Sequence, residues 1–288
     1  MAMVDISRIR LGLAQVNPTV GDVAGNSLLI LQYLQEAAEH QVDVVLFPEM
    51  VLTGYPIEDL ALRATFRQAS TSALENLART IADRGFGEII ALVGYLDENP
   101  RGQALNSVAF LHRGQVIARY AKRHLPNYGV FDEYRNFASG SGSLLFRYRG
   151  ADIAVAICED IWHREGVIED LIRRTPALLL VPNGSPYDRD KSDERSRLVK
   201  TRAREIGATI AYVNCVGGQD DLVFDGDSIV VDGAGAVITR APQFDEGLLA
   251  LDLDLPTHSS DGHGGVDLVI SEEMVMASDL PARIPGVA

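Results

Sequence analysis

The chain has 288 residues, enough for one large core but short of two ordinary domains of ~150 residues each. Apolar residues make up 47% and charged residues 23%, a balance that excludes disordered and fibrous chains. Asp and Glu number 40 against 26 Lys and Arg, and the resulting net charge of −14 repels nucleic-acid phosphates and anionic lipid, so neither is an expected partner.

In chain order, Ile9 to Val16 alternates as a first strand, and N-P-T-V-G-D supplies turn chemistry after it. Leu28, Leu31, Leu34 and Ala38 then recur at helical spacing and predict one buried face between Asn26 and His40. Val42 to Phe47 is a short, mostly apolar run of the kind found in a strand covered on both faces, and it ends in Pro48-Glu49. A second long helix is expected from about Glu58 to Ala82, then a strand from Ile89 to Tyr95.

Leu105 to Leu111 and Val116 to Tyr120 flank H-R-G-Q and read as a hairpin, so antiparallel pairing joins the strand-helix alternation. Later strands are expected at Ile153 to Ile157, Leu178 to Val181 and Thr209 to Val213. Between the last two, acids at 193 and 194 and Gly207 past the end bound a helix over 192–206, whose arginines from Arg195 to Arg204 read as a solvated face. After Gly217 the pattern is strand and turn, with D-G-A-G-A (232–236) read as a hairpin turn rather than a phosphate loop. S-G-S-G-S (139–143) reads as a flexible loop, and the stretch from Pro256 as a linker or surface-wrapping arm. The expected organisation is one α/β domain over 1–255, a mixed sheet architecture with helices outside, followed by a tail over 256–288.

Cys158 and Cys215 are the only cysteines, too few for a disulfide framework, and both sit in apolar stretches that read as strands. With no leader pattern and no apolar run of ~20 residues, the expectation is a cytoplasmic protein. His258 and His263 lack metal-ligand spacing, and no metal is expected.

Glu49, Lys122 and Cys158 each fall at a strand end, where a layered α/β protein keeps its active site. Taken singly, each has an ordinary reading: a solvated carboxylate, one of three adjacent basic residues, and an inert core thiol. Together they make chemical sense, because a cysteine attacks a carbonyl as thiolate and a carboxylate base with a neighbouring ammonium supplies that character. Glu159 and Asp160 directly after Cys158 point to an opening onto a polar pocket.

The segments F-P-E-M-V-L-T-G-Y-P (47–56), A-K-R-H-L-P-N-Y-G-V-F-D-E-Y-R-N-F (121–137), A-I-C-E-D-I-W (156–162) and V-P-N-G-S-P-Y (181–187) resemble the nitrilase, or carbon-nitrogen hydrolase, superfamily with its Glu-Lys-Cys triad. Within it, N-P-T-V-G-D, the N-G-S-P-Y segment with Lys191 beyond it, and V-G-G-Q-D-D-L-V-F-D-G-D-S (216–228) are similar to the glutamine amidase domains of glutamine-dependent NAD synthetases. The likeness spans about residues 9 to 255, with Cys215 where a glutamine is expected. It implies a four-layer α-β-β-α sandwich in a single domain, and a homo-oligomer.

It also implies roles: Glu49 as general base, Lys122 as transition-state cation, Cys158 as nucleophile and Glu133 as the carboxylate that orients Lys122. Tyr128, Ser185 and Lys191 would bind substrate glutamine, with Tyr55 and Glu159 lining the pocket. The implied reaction is hydrolysis of L-glutamine to glutamate and ammonia through a Cys158 thioester, without a cofactor. The ammonia would serve an ATP-dependent NAD synthetase domain or subunit, whose serine-glycine-glycine phosphate loop this sequence does not contain. Two alternatives stand beside this: a stand-alone hydrolase of another small amide, nitrile or N-carbamoyl compound using the same triad, and a non-catalytic docking module.

Overall fold

A computed structural model of the chain describes residues 5–189, 191–257 and 265–271, excluding the side chains of 191–193. The first unit is a βαβ run. Strand β1 (Ile6–Gln15) leads to helix α1 (Val23–Glu39), which returns the chain to β2 (Val44–Leu46), and α2 (Ala64–Asp83) then leads to β3 (Ile90–Glu98). A short 3₁₀ turn, Glu58–Leu62, precedes α2 and interrupts the single helix expected there. Asp22 caps α1, its Oδ1 accepting from the Gly25 N–H at 2.8 Å. The buried face of α1 is Asn26, Ile30, Leu31, Tyr33, Leu34 and Ala37; Leu31 and Leu34 lie there as expected and Ala38 packs partly buried beside it, but Leu28 lies on the opposite face at 100° per residue and is 63% exposed.

Strands β4 (Ala104–His112) and β5 (Gln115–Ala121) form the expected hairpin. Its turn residues, Arg113 (φ 48°) and Gly114 (φ 80°), both adopt the left-handed conformation that two-residue hairpins favour. A single helical turn, α3 (Glu133–Asn136), intervenes before β6 (Leu144–Tyr148), a strand the sequence pattern did not assign. The second half comprises β7 (Ala151–Val155), α4 (Glu169–Arg174), β8 (Leu178–Asn183), α5 (Lys191–Ile206) and β9 (Thr209–Asn214). All-strand structure follows, as expected: β10 (Val216–Gln219), β11 (Leu222–Asp225), β12 (Ile229–Val231), β13 (Val237–Arg240) and β14 (Gly247–Pro256). D-G-A-G-A is the β12–β13 turn, with Asp232 Oδ1 accepting the N–H groups of Ala234 and Ala236. Within the stretch expected as a linker or surface-wrapping arm lies β15 (Leu268–Ile270), an edge strand parallel to β6, with Leu268 and Ile270 buried on the core side.

Two large sheets result, ordered β14-β1-β2-β3-β4-β5 and β13-β12-β9-β8-β7-β6-β15, with parallel strands at the centre of each, beside a small antiparallel β10-β11 pair. Leu11, Leu13, Leu46, Leu92 and Phe110 of one sheet pack against Phe146, Ile153, Leu178, Leu180 and Val213 of the other. The outward faces are covered by α1 and α2 on the first sheet and by α4 and α5 on the second. The fold is therefore the expected four-layer α-β-β-α sandwich. Each Leu, Ile or Phe buried in these layers contributes roughly 1.5–3 kcal/mol, which fixes register in strands as short as β2.

Two of the α5 arginines depart from their expected role, whereas Arg197 and Arg204 are exposed as expected. Arg195 and Arg202 lie on the buried face, 4% and 8% exposed. Arg195 pairs with Asp225 (2.8 Å from Nη1 to Oδ1), while Arg202 donates to the carbonyls of Ile161 (2.6 Å) and Trp162 (3.0 Å). Arginine is suited to this, since its fork makes several directed bonds from one buried cation. Among the described residues no helix is long and apolar enough to cross a membrane.

Candidate active site

The reactive groups gather where the central strands end, the usual mouth of an open α/β sheet. Glu49 lies three residues past β2 and is 1% exposed. Its Oε1 accepts from Asn106 Nδ2 and Lys122 Nζ, each at 2.7 Å, and its Oε2 from the Gly184 N–H at 2.8 Å. The backbone there turns sharply, with Met50 at φ 52°, and presses on β3. A Cβ at Gly94 would stand 2.4 Å from Met50 N and 2.5 Å from Pro48 O, so only glycine fits. Gly94→Ala is therefore expected to cost about 1–3 kcal/mol in chemical denaturation and to lower activity by displacing Glu49. A variant of wild-type stability and rate would show that the strand end has slack.

Lys122 follows β5 directly, and its N–H bonds to the Asn106 carbonyl at 2.8 Å. The side chain is fully buried, with Nζ 2.7 Å from Glu49 Oε1 and 3.0 Å and 2.9 Å from the two oxygens of Glu133. Burial alone opposes the ammonium, but Glu133 and Glu49 outweigh it and hold the Lys122 pKa well above its ordinary value. Glu133 opens α3 and accepts from the Tyr55 hydroxyl at 2.9 Å. Burial pushes its carboxyl up to about 7, helped by the charge of Glu49 and opposed by Lys122. The S-G-S-G-S segment is not merely a spacer: the Gly140 N–H bonds to the Lys122 carbonyl at 2.7 Å.

Cys158 comes three residues after β7 and opens a 3₁₀ turn over Cys158–Ile161. Its φ of 41° is a left-handed value that a non-glycine residue adopts only when its surroundings hold it there. Burial, then Glu49, pushes the Cys158 thiol well up, with Lys122 acting against them. Burial and the charge of Glu49 thus disfavour a stored thiolate at Cys158.

Asp160, the second acid after Cys158, does not face a pocket. It is fully buried, and its oxygens accept from the N–H groups of Ile157 (3.0 Å), Arg123 (3.0 Å) and His124 (2.8 Å) and from the Tyr120 hydroxyl (2.7 Å). It ties the cysteine turn to the strand end that carries Lys122.

Glu159 does border the opening. Its Oε2 accepts from the hydroxyl of half-exposed Tyr128 at 2.9 Å, and its Oε1 lies 3.1 Å from His163 Nε2. Ser185 is buried beside Gly184, whose missing side chain leaves room for the Tyr55 ring; a Cβ there would approach the ring to 2.7 Å. The structure thus brings Glu49, Lys122, Glu133, Tyr55 and Cys158 into one electrostatically linked cluster, with Tyr128 and Glu159 at its border. The Lys191 side chain, His258 and His263 lie outside the described residues. Cys215 is a buried core thiol, as expected.

Asn106 and Asp160 were missed as site residues. Asn106 and Ser107 are polar residues inside an otherwise apolar strand, a signal that could have marked the position. Among the described residues no group of three His, Cys, Asp or Glu is arranged to hold a metal ion.

A four-layer α-β-β-α sandwich with a buried Glu-Lys-Cys cluster at its strand ends is the architecture of the nitrilase superfamily. The chain belongs to the carbon-nitrogen hydrolase family, which matches residues 10–261. It is 44% identical over 247 residues to a glutamine-dependent NAD(+) synthetase of Xylella fastidiosa, covering 85% of this chain and 44% of that protein. The chain thus spans less than half the length of that relative. Among solved structures, it resembles the glutamine-dependent NAD+ synthetase of Acinetobacter baumannii in complex with ADP (TM-score 0.80, 33% identity, 89% of this chain and 48% of the other). It also resembles an amidase from Nesterenkonia sp. (TM-score 0.73, 28% identity, 88% and 93%).

Proposed function

We propose that this chain is a glutamine amidohydrolase that supplies ammonia to an ATP-dependent NAD synthetase domain or subunit. The observation that carries the chemistry is the Lys122 ammonium fixed between Glu49 and Glu133 beside a cysteine held at φ 41°. The substrate reading draws on the names of the relatives and on the pocket border, where Glu159 with Tyr128 offers a carboxylate to an amino acid's ammonium, while the family resemblance assigns Lys191 to the amino acid's carboxylate. Tyr55 and Ser185 complete the pocket, residues 1–255 form the amidase and 256–288 a tail. The working state is a cytoplasmic homo-oligomer.

Because the resting thiol is neutral, its proton leaves as the bond forms. Glu49 takes that proton while sulfur attacks the side-chain amide carbon, and Lys122 with a backbone N–H holds the resulting oxyanion. Glu49 returns the proton to the departing nitrogen, the C–N bond breaks and ammonia leaves a thioester. Water then loses a proton to Glu49 and attacks the thioester. Glutamate departs and the sulfur recovers its proton from Glu49.

The test is ammonia release from L-glutamine by the purified chain, with asparagine in parallel and then with a synthetase domain added. Preference for glutamine is expected; turnover of neither amide, alone or with the added domain, refutes the reading. A stand-alone hydrolase of another small amide, nitrile or N-carbamoyl compound is the second reading, since the Nesterenkonia amidase is covered over 93% of its length. A flat response to glutamine beside turnover of such a compound would favour it.

Glu133 sets the pH dependence. Its carboxyl titrates near 7, and protonation removes the negative charge that holds Lys122. kcat/KM is expected to fall below about pH 7 in the wild type, and in Glu133→Gln to be lower but flat between about pH 6 and 8. An unchanged acid limb in that variant would assign the limb to another group.

A further inference from the structure

Ser185 owes its place to a residue that the mechanism does not use. Strands β8 and β9 pair in parallel up to Asn183 and Asn214, and Pro186 has no N–H with which to extend the ladder. The main chain of Ser185 is held instead from both sides by the Asn214 side chain. Asn214 Oδ1 accepts from the Ser185 N–H at 2.8 Å, and Asn214 Nδ2 donates to the Ser185 carbonyl at 3.0 Å. The amide thus does what a further strand residue would have done. The preceding residue, Gly184, gives its N–H to Glu49, so the same short segment borders both the base and the pocket.

Asn214 is itself anchored through a buried relay. Its N–H bonds to Ser228 Oγ at 3.0 Å, and Ser228 donates from both Oγ (2.8 Å) and N (3.0 Å) to Gln15 Oε1. Gln15 Nε2 in turn donates to the carbonyls of Pro242 (2.8 Å) and Asp245 (2.7 Å). Gln15, Asn214 and Ser228 are 2%, 0% and 0% exposed. Gln15 ends β1 in one sheet whereas Asn214 ends β9 in the other, so the relay ties Ser185 to both sheets. Buried polar groups are kept in this way when each finds its partner, and a partly broken network is costly.

We infer that Asn214 is a positioning residue for substrate binding: through the Ser228–Gln15 relay its amide clamps the Ser185 main chain and presets that wall of the pocket. The inference rests on the reading above that Ser185 contacts substrate. Residue chemistry makes it specific. A carboxylate at 214 keeps the acceptor but lacks the donor, and alanine lacks both. Arg195 Nη1 also reaches the Ser185 carbonyl, but at 3.4 Å.

The experiment compares wild type with Asn214→Asp, Asn214→Ala, Ser228→Ala and Ser185→Ala. Steady-state kinetics on glutamine are read beside the rate of Cys158 alkylation by iodoacetamide, which needs the base and cation but no occupied substrate pocket. Both Asn214 variants are expected to raise KM at least ~10-fold with kcat within ~3-fold, and Ser228→Ala, a milder cut that keeps the clamp, to raise KM ~3-fold. Alkylation rates stay at the wild-type value.

A raised KM accompanied by large losses of both kcat and alkylation rate would mark a merely structural role and overturn the inference, as would an unchanged KM in folded Asn214→Asp and Ser228→Ala. If Ser185→Ala raises KM while the Asn214 variants do not, the clamp fails and the substrate contact stands. If Ser185→Ala leaves KM unchanged, the substrate-contact reading fails and the inference falls with it.

Discussion

Cys158→Ala is expected to abolish amide hydrolysis, by roughly 10⁴-fold or more, because removal of a nucleophile leaves only the residual catalysis of the pocket. The fold should survive. The turn that carries residue 158 is held by Asp160, through the N–H groups of Ile157, Arg123 and His124, and not by the sulfur. Stability within about 1 kcal/mol of wild type is therefore expected in urea denaturation. An electrophilic amide analogue followed by mass spectrometry supplies a second readout: one adduct on the wild type, none on the variant. Cys215→Ala separates the two thiols. Cys215 is 3% exposed in a different apolar cluster, and burial pushes its thiol up, so its loss should change neither turnover nor adduct. Substantial turnover by Cys158→Ala, or an adduct on Cys215, would remove Cys158 from the mechanism.

Lys122→Met is the next largest expected effect. Losing a preorganised oxyanion donor costs about 3–4 kcal/mol of barrier, at least ~100-fold in kcat, with Cys158 intact. Stability should fall as well, by about 3–5 kcal/mol near neutral pH, because the buried carboxylates of Glu49 and Glu133 lose the cation between them. The pH dependence carries a definite sign. Without Lys122, the Glu133 carboxyl is pushed further above the unfolded value of 4.5, so the folded variant binds more protons than the unfolded chain. Its stability is then greatest at low pH and falls as pH rises through the folded pKa. Denaturation at several pH values reads this directly. A variant that loses turnover but keeps wild-type stability at every pH would mean that Lys122 acts without neutralising the pair.

Much of the fold was legible because its determinants are local. The apolar run before Pro48, the H-R-G-Q turn and the acid-to-glycine bounds of the α5 helix each carry their structure in neighbouring residues. Errors arose where burial is decided at a distance. Leu28 has helical spacing with Leu31 and Leu34, yet only the packing of α1 on the sheet decides which phase is inward. Arg195 and Arg202 look solvated until Asp225 and the carbonyls of Ile161 and Trp162 are brought beneath them. Strand β15 pairs with β6 across more than 100 residues, and no local pattern encodes that.

The sequence by itself determined most of the order of elements, the family and the candidacy of Glu49, Lys122 and Cys158, since these rest on turn chemistry, hydrophobic period and contiguous motifs. Only the tertiary structure decided how their charges are arranged. Lys122 is a cation because two acids, from the end of β2 and the start of α3, meet it inside the protein. Cys158 is a thiol at rest because the same burial that shields it disfavours its charge. The partners of Asn106, Asp160 and Asn214 became visible only there, because a hydrogen bond between residues distant in the chain depends on where the two sheets place their ends, and that placement comes from packing.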